Sequence, residues 1–384
     1  MNPETRAELA RRLHHYLDTG TTAMADEVFK NPVVAYTSEE RLALERRLLF
    51  RESPLLIGLS GRLAVPGDYL TDDDSGLPIL VLRGEAGTLH AFANVCRHRG
   101  ARVLDGCGRG KRALSCPYHG WTYALDGRLI DIPGQEGFAG LSREEHSLLP
   151  LPVAERHGLI WVRPVPDVPL MAIDVDGLLG GLAPEIASYG FARYHHFETR
   201  TLRPQINWKM AVDTFLEAYH LAALHQQSVA PIFVGNVCAA DAFGANHRMI
   251  AVRRSFAELH DWRDAEPDFL QHTIELYTLF PNVVLVHQAD HVELWRMFPG
   301  RTTDDCTVHL SLYVPEPTTS EKSRRYWAAN LQLAIDAVDR EDFRLGEGIQ
   351  RGFRSGAQEH VTFGRNEPGL IHFHRSLRRA LGLE

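Results

Sequence analysis

Four residues in one short span have the types and spacing to hold metal. "CRHRG" places Cys96 two residues before His98, "CPYHGW" places Cys116 three before His119, and seventeen residues separate the pairs. Two thiolates and two imidazoles suit tetrahedral zinc. Zinc sites of that composition usually take two cysteines from one turn and two histidines from another, whereas here each loop supplies one of each. That arrangement suits a [2Fe–2S] cluster with both sulfurs on one iron and both imidazoles on the other. Neutral imidazoles in place of two anionic thiolates reduce the negative charge and raise the reduction potential. Trp121 and Tyr123 would shield one side, and Gly100 and Gly120 would let backbone N–H groups approach the sulfides. Cys107 stands outside the spacing and reads as a plain thiol; "GCGRG" around it lacks the strand-to-helix setting of a dinucleotide motif.

A second constellation lies in "INWKMAVDTFLEAYHLAALH", Ile206 to His225. On a helix, Asp213, Glu217 and His220 are spaced i, i+4, i+7 and share a face. His225 is five residues beyond His220, roughly 140° round an ideal helix. Both imidazoles reach one ion only if the helix is distorted or ends between them, so an irregularity is expected around Leu221–Leu224. A lone histidine here would read as a polar position on a half-exposed helix; two beside carboxylates read as a metal site. One further carboxylate would complete the facial triad that holds non-haem Fe(II) with positions open for oxygen. "DREDFRLGEGIQRGF" (339–353) offers Asp342, Asp339 and Glu341 as candidates.

These residues need two kinds of support. Residues 5–18 and 38–50 show helical spacing. From about Pro54 the chain turns to short Val-, Ile- and Leu-rich segments separated by Gly, Pro and Asp, with a hairpin turn at "LDGR" (125–128). This predicts a compact antiparallel β domain ending near Arg163. "RPVPDVPL" (163–170) is the linker candidate. Beyond it, strand-like segments alternate with helices over roughly 206–224 and 320–353. The expected class is α+β: a helical segment over 1–50, a cluster-bearing β domain over 51–165, and an antiparallel sheet flanked by helices over 166–384, carrying the second metal.

Bulk properties set limits. The chain has 384 residues, 44% hydrophobic and 23% charged, an ordinary globular balance. A formal charge of −8 argues against nucleic acid as partner and allows acidic patches for a protein partner. Five cysteines make no disulfide framework and suit a reducing compartment. With no apolar run of membrane-spanning length and no apolar signal core at the N-terminus, a cytoplasmic protein without membrane attachment is expected. Cys238, Cys306, His14–His15, His195–His196 and "HFH" (372–374) take structural readings. Asn207, Trp208 and Lys209 would orient the metal-bearing helix.

From about residue 40 onward the chain resembles the catalytic α subunits of Rieske non-haem iron aromatic-ring-hydroxylating oxygenases, through "CRHRG", "CPYHGW", "NWK", "EAYH…H" and "EDF…IQRG". Asp342, Glu347 and Gln350 match the D-x₄-E-x₂-Q pattern at that family's carboxylate ligand. The resemblance implies that Cys96, His98, Cys116 and His119 bind the [2Fe–2S] cluster, and that His220, His225 and Asp342 bind mononuclear Fe(II). It implies a homotrimer, with or without a β subunit, in which the acidic residue three before the first iron histidine, Glu217, links one chain's iron site to His119 of its neighbour. Many relatives have Asp at that position, and Asn at the position of Asp213. These departures resemble the single-component branch that includes oxygenases of quaternary ammonium compounds.

The expected activity is therefore dioxygen activation and oxidation of a small organic substrate, with an aromatic substrate as the leading reading. Monooxygenation, or demethylation at nitrogen or oxygen of a quaternary ammonium or methylated substrate, is the alternative. No nucleotide- or flavin-binding signature is visible, so electrons from NAD(P)H would come through a separate reductase, with or without a ferredoxin. An electron carrier with the cluster and no catalytic iron is the alternative from another class.

Overall fold

The computed structural model describes residues 1–166, 170–259, 261, 263 and 268–383. Part of the expected linker, 163–170, lies outside them. The chain divides into two compact units. One comprises Glu45–Leu178 and Gly190–Tyr194; the other comprises Met1–Leu44, Leu179–Tyr189 and the chain from His195 onward.

The first unit is built of small antiparallel sheets. A five-stranded sheet runs in the order Pro150–Leu151, Leu89–Ala93, Ile79–Arg83, Tyr69–Asp72, Cys107–Gly108. Two three-stranded sheets accompany it: Val153–Arg156, Leu159–Val162 and Leu55–Leu59; and Leu114–Ser115, Thr122–Tyr123 and Leu129–Asp131. The turn expected at 125–128 joins the last two strands, closed by the N–H of Ala124 on the carbonyl of Arg128 at 2.8 Å. Leu114, Trp121, Tyr123 and Leu148 pack with Cys96 and Cys116 in one apolar core, so the sulfurs sit at the edge of dry packing.

The second unit is a seven-stranded antiparallel sheet, ordered His195–Leu202, Cys306–Val314, Val292–Pro299, Val283–His287, Thr273–Leu279, Asn246–Arg253, Phe233–Phe243. Val283–His287 is buried throughout, as its unbroken apolar run requires when both faces are covered. The class is α+β, as expected.

Two boundaries differ from the sequence reading. The N-terminal helical segment does not stand apart. Its helix, Pro3–Thr19, starts where Asn2 accepts the N–H of Thr5 and ends at Gly20 in the left-handed region. That helix buries Leu9, Ala10 and Leu13 against Ile250, Val252 and Phe256 of the large sheet's unit. Strand Phe29–Pro32 then pairs with His360–Phe363. Residues 45–50 instead belong to the β unit, as do residues 166 and 170–178 of the segment beyond the expected boundary at 165. Among the described residues, no helix is long and apolar enough to cross a membrane.

Candidate metal centres and substrate cavity

The cluster loops are two copies of one turn. The N–H of Cys96 bonds the carbonyl of Ala101 at 2.7 Å and the N–H of Gly100 bonds the carbonyl of Cys96 at 2.9 Å. Cys116 repeats this with Trp121 and Gly120, at 2.9 and 3.0 Å. Gly100 and Gly120 have φ of 79° and 73°, which a side chain strains, and a Cβ on Gly120 would stand 3.1 Å from Pro133. The turns bring His98 and His119 together, ring centroids 4.7 Å apart, with His98 stacked on Trp121 at 4.8 Å. Cys96 and Cys116 are buried, and the hydroxyl of Tyr123 lies 3.3 Å from the Cys96 sulfur.

The donor set fits a two-iron cluster. Nδ1 of His98 is buried without a hydrogen-bond partner, as a ligand nitrogen would be. Each turn supplies one thiol and one imidazole, the pairing a two-iron cluster takes. Among the described residues, His220, His225 and Asp342 gather three possible ligand atoms within 4.8 Å.

That trio forms the second centre. Oδ1 of Asp342 lies 3.2 Å from Nε2 of His225 and 3.6 Å from Nε2 of His220. Each ring is held through its other nitrogen: Nδ1 of His220 by Glu217, and Nδ1 of His225 by Glu341, which also accepts from Ser228 Oγ at 2.7 Å. Carboxylates on Nδ1 orient a ligand imidazole and raise its basicity. Burial alone would depress both imidazoles; Glu217 and Asp342 for His220, and Asp342 and Glu341 for His225, outweigh it and raise them. Three carboxylates around two imidazoles give the negative field that a divalent cation offsets.

The helix carrying the histidines differs from the expected one. Its regular part is Trp208–Asp213, residues 214–220 are turns, and Leu221–Leu224 is a short helix capped by His220 and His225. The irregularity precedes Leu221–Leu224 rather than occupying it. Glu217 accepts backbone N–H groups of Tyr219 and His220, closing the turn that leads into Leu221–Leu224. Asp213, Glu217 and His220 therefore do not share a helical face. Asp213 is not among the cavity-lining residues; it accepts from Tyr36 Oη at 2.6 Å and lies 3.0 Å from Nε2 of His374.

Asp342 lies in a π-helical turn, Val338–Phe343, between helices Glu321–Ala337 and Arg344–Arg354. Such turns often mark functional sites within long helices. Glu341 and Asp342 thereby reach opposite nitrogens of one ring, His225. Glu347 and Gln350 accept the backbone N–H groups of Gln205 and Asn207, both at 3.3 Å, and the Asn207 side chain caps the metal-bearing helix through Lys209 N. Asn207 of the "NWK" motif thus caps that helix, and Trp208 and Lys209 are buried in its first turn.

A cavity of about 570 Å³ opens beside the trio. Phe215, Leu221, Ile232 and Trp295 give apolar lining, while Arg253, Asp290, His291 and Glu293, with the amide of Gln288, form a charged wall. His291 bonds Asp290 through Nδ1 at 2.7 Å and faces Glu293 through Nε2 at 3.3 Å; Trp295 Nε1 donates to Glu293 at 2.9 Å. Sequence reasoning missed this wall, although the alternation His291, Glu293, Trp295 along one strand face was a usable signal. It also read His374 as packing, whereas the ring is fully buried and bridges Asn31, Tyr36 and Asp213.

A β unit with paired Cys–His loops and a helix-and-sheet unit with a two-histidine, one-carboxylate trio define a Rieske-type non-haem iron oxygenase. Residues 54–149 match the Rieske [2Fe–2S] domain, and residues 191–383 match the catalytic domain of the ring hydroxylating alpha subunit. The chain belongs to the Rieske oxygenase alpha-subunit family; it is an oxidoreductase with a [2Fe–2S] cluster and a mononuclear iron centre. It is 32% identical to the glycine betaine monooxygenase oxygenase subunit of Pseudomonas aeruginosa (strain UCBPP-PA14), over 91% of this chain and 88% of that protein. It is 27% identical to the carnitine monooxygenase oxygenase subunit of Escherichia coli (strain K12), over 92% of this chain and 94% of that one. Its fold is similar to that of a quaternary ammonium Rieske monooxygenase solved with L-carnitine, at a TM-score of 0.77, 22% identity and coverage of 97% and 99%. The electron-carrier alternative falls with the catalytic-domain match.

Proposed function

We propose that the chain is the oxygenase component of a monooxygenase acting on a quaternary ammonium compound, with electrons from NAD(P)H delivered by a separate reductase. The charged cavity wall carries this reading. An aromatic hydrocarbon would desolvate Arg253 and Asp290 without replacing their contacts with water, at a cost of several kcal/mol. A charged substrate replaces them. The named relatives, oxygenases of carnitine and glycine betaine, favour this over the aromatic substrate expected first.

In this reading Cys96, His98, Cys116 and His119 would hold the cluster, and His220, His225 and Asp342 the mononuclear iron. When bound, the two groups supply single-electron transfer and dioxygen activation. Glu217 and Glu341 keep a proton on Nδ1 of each iron histidine and turn Nε2 toward the ion. Phe215, Leu221 and Trp295 exclude water and hold the substrate's methyl groups against the centre. Tyr326 donates to Asp290 at 2.6 Å, holding that carboxylate on His291.

Assembly as a homotrimer in a reducing cytoplasm is part of the proposal. Glu217 already holds Nδ1 of His220, and His119 of a neighbouring chain would approach the same carboxylate. The solved quaternary ammonium monooxygenase is described as using inter-subunit electron transfer, which supports this route. The test is turnover of carnitine and glycine betaine with a reductase under labelled dioxygen. One labelled atom in the product and the other in water supports monooxygenation; two in the product of an aromatic substrate, with no ammonium turnover, overturns it.

A further inference from the structure

Arg253 ends the strand Asn246–Arg253 and lines the cavity that also holds His220, His225 and Asp342. Its side chain is half-buried and fixed on two sides: Nε donates to the carbonyl of Thr273 at 3.1 Å, and Nη2 to Oε1 of Gln288 at 2.6 Å. The guanidinium carbon stands 5.2 Å from the centre of the Phe233 ring. Nη1 makes no hydrogen bond, and no carboxylate lies within 4.0 Å among the described residues.

Two other sequestered guanidinium groups are treated differently. Arg83 meets Glu155 through two hydrogen bonds of 2.6 and 2.8 Å. Arg248 meets Glu185 and Asp241 at 2.6 and 2.7 Å. A partly buried cation without a counter-ion is costly, so chains normally pair it. The carboxylates nearest on the cavity wall, Asp290 and Glu293, act on it only from beyond ion-pair distance and offset burial in part, and both are engaged by His291. Arg253 thus brings to the cavity lining a guanidinium whose Nη1 is not used by the described residues of the protein, the chemistry that recognises a carboxylate.

We infer that Arg253 is the specificity residue for a carboxylate on the substrate, so that the compound oxidised is a short betaine: an acid arm on Arg253 and a methylated ammonium end toward the trio. This rests on the ammonium reading for the second half of that description only. Gln288 and Phe233 hold the guanidinium in place. A cavity of about 570 Å³ has room for a molecule of that size with both ends engaged.

Binding tests this without turnover. Titration calorimetry on the iron-loaded full chain uses glycine betaine and carnitine, their methyl esters, and the all-carbon isosteres in which carbon replaces the quaternary nitrogen. The acids are expected to bind roughly 10- to 100-fold more tightly than the esters, as charged hydrogen bonds allow. Arg253→Gln should shrink that ratio to under about threefold, and Arg253→Lys, which keeps charge and loses the fork, should leave part of it. Esters that match acids in the unmodified enzyme, a ratio that survives Arg253→Gln, or no carboxylate bound at all, each overturns the inference. The ratio in the unmodified enzyme needs no variant, and Arg253→Lys serves if Arg253→Gln does not fold. If the all-carbon isosteres bind as tightly as their parents and depend on Arg253, the inference stands and the ammonium reading fails.

Discussion

Glu341 and His225 are joined through Nδ1 of the ring, while Asp342, the next residue, takes its other nitrogen. On a regular helix, adjacent side chains diverge by about 100° and could not both reach one imidazole. The π-turn at Val338–Phe343 allows it. Glu341 therefore fixes the ring, and Asp342 faces the nitrogen with which it would share an ion. Replacing Glu341 by Ala is expected to weaken iron binding about 10- to 100-fold while leaving the cluster's visible spectrum unchanged. Glu341→Gln, which can still accept from Nδ1–H, should lose less. Iron retention after graded chelation, read against cluster absorbance, checks both.

Gly120→Ala strains the left-handed turn and pushes a methyl toward Pro133. The backbone cost is about 1–2 kcal/mol before any repacking. The variant is expected to lose cluster absorbance at a lower temperature than the parent, with mononuclear iron content unaffected. Equal loss of both centres would place the defect in general folding rather than in the loop.

Asp213 ties the end of the helix Trp208–Asp213 to Tyr36 and His374 and does not line the cavity. Asp213→Ala should destabilise the fold by about 1–3 kcal/mol, the cost of leaving buried donors unpaired. Asp213→Asn should retain much of the parent's stability. Urea midpoints decide; a change in substrate affinity at unaltered stability would instead give Asp213 a direct role.

His291 sets a pH dependence. Burial would lower its pKa, but hydrogen bonds to Asp290 and Glu293 outweigh this and raise it from 6.5 to about 9. The folded state thus binds the proton more tightly than the unfolded chain. Its contribution to stability is complete below pH 6.5 and is lost as pH rises through about 9. Urea midpoints of the parent should fall across that window relative to those of His291→Gln. Parallel pH profiles would remove the role of the imidazolium.

Much of the chemistry was legible in the chain. Cys96, His98, Cys116 and His119 could be grouped from their spacing and His220 and His225 from two imidazoles beside carboxylates, while Asp342 was singled out by the resemblance; the structure brings the last three together. The break at 214–220 was misplaced because "TFLEAYH" holds no Gly or Pro and the turn is closed by the Glu217 side chain. The π-turn had no sequence mark, so Glu341 read as an alternative to Asp342 rather than its support. The N-terminal helix was set apart because its partners Ile250 and Phe256 lie far along the chain. Arg253 was invisible for a similar reason: its significance is the lack of a carboxylate partner, a property of space.

The most direct measurement is iron and acid-labile sulfide per chain in the purified protein and in Asp342→Ala. The account predicts about three irons and two sulfides in the parent, and about two irons with both sulfides and an unchanged visible spectrum in the variant. Two irons in both proteins, or zinc in place of iron at either centre, would contradict it.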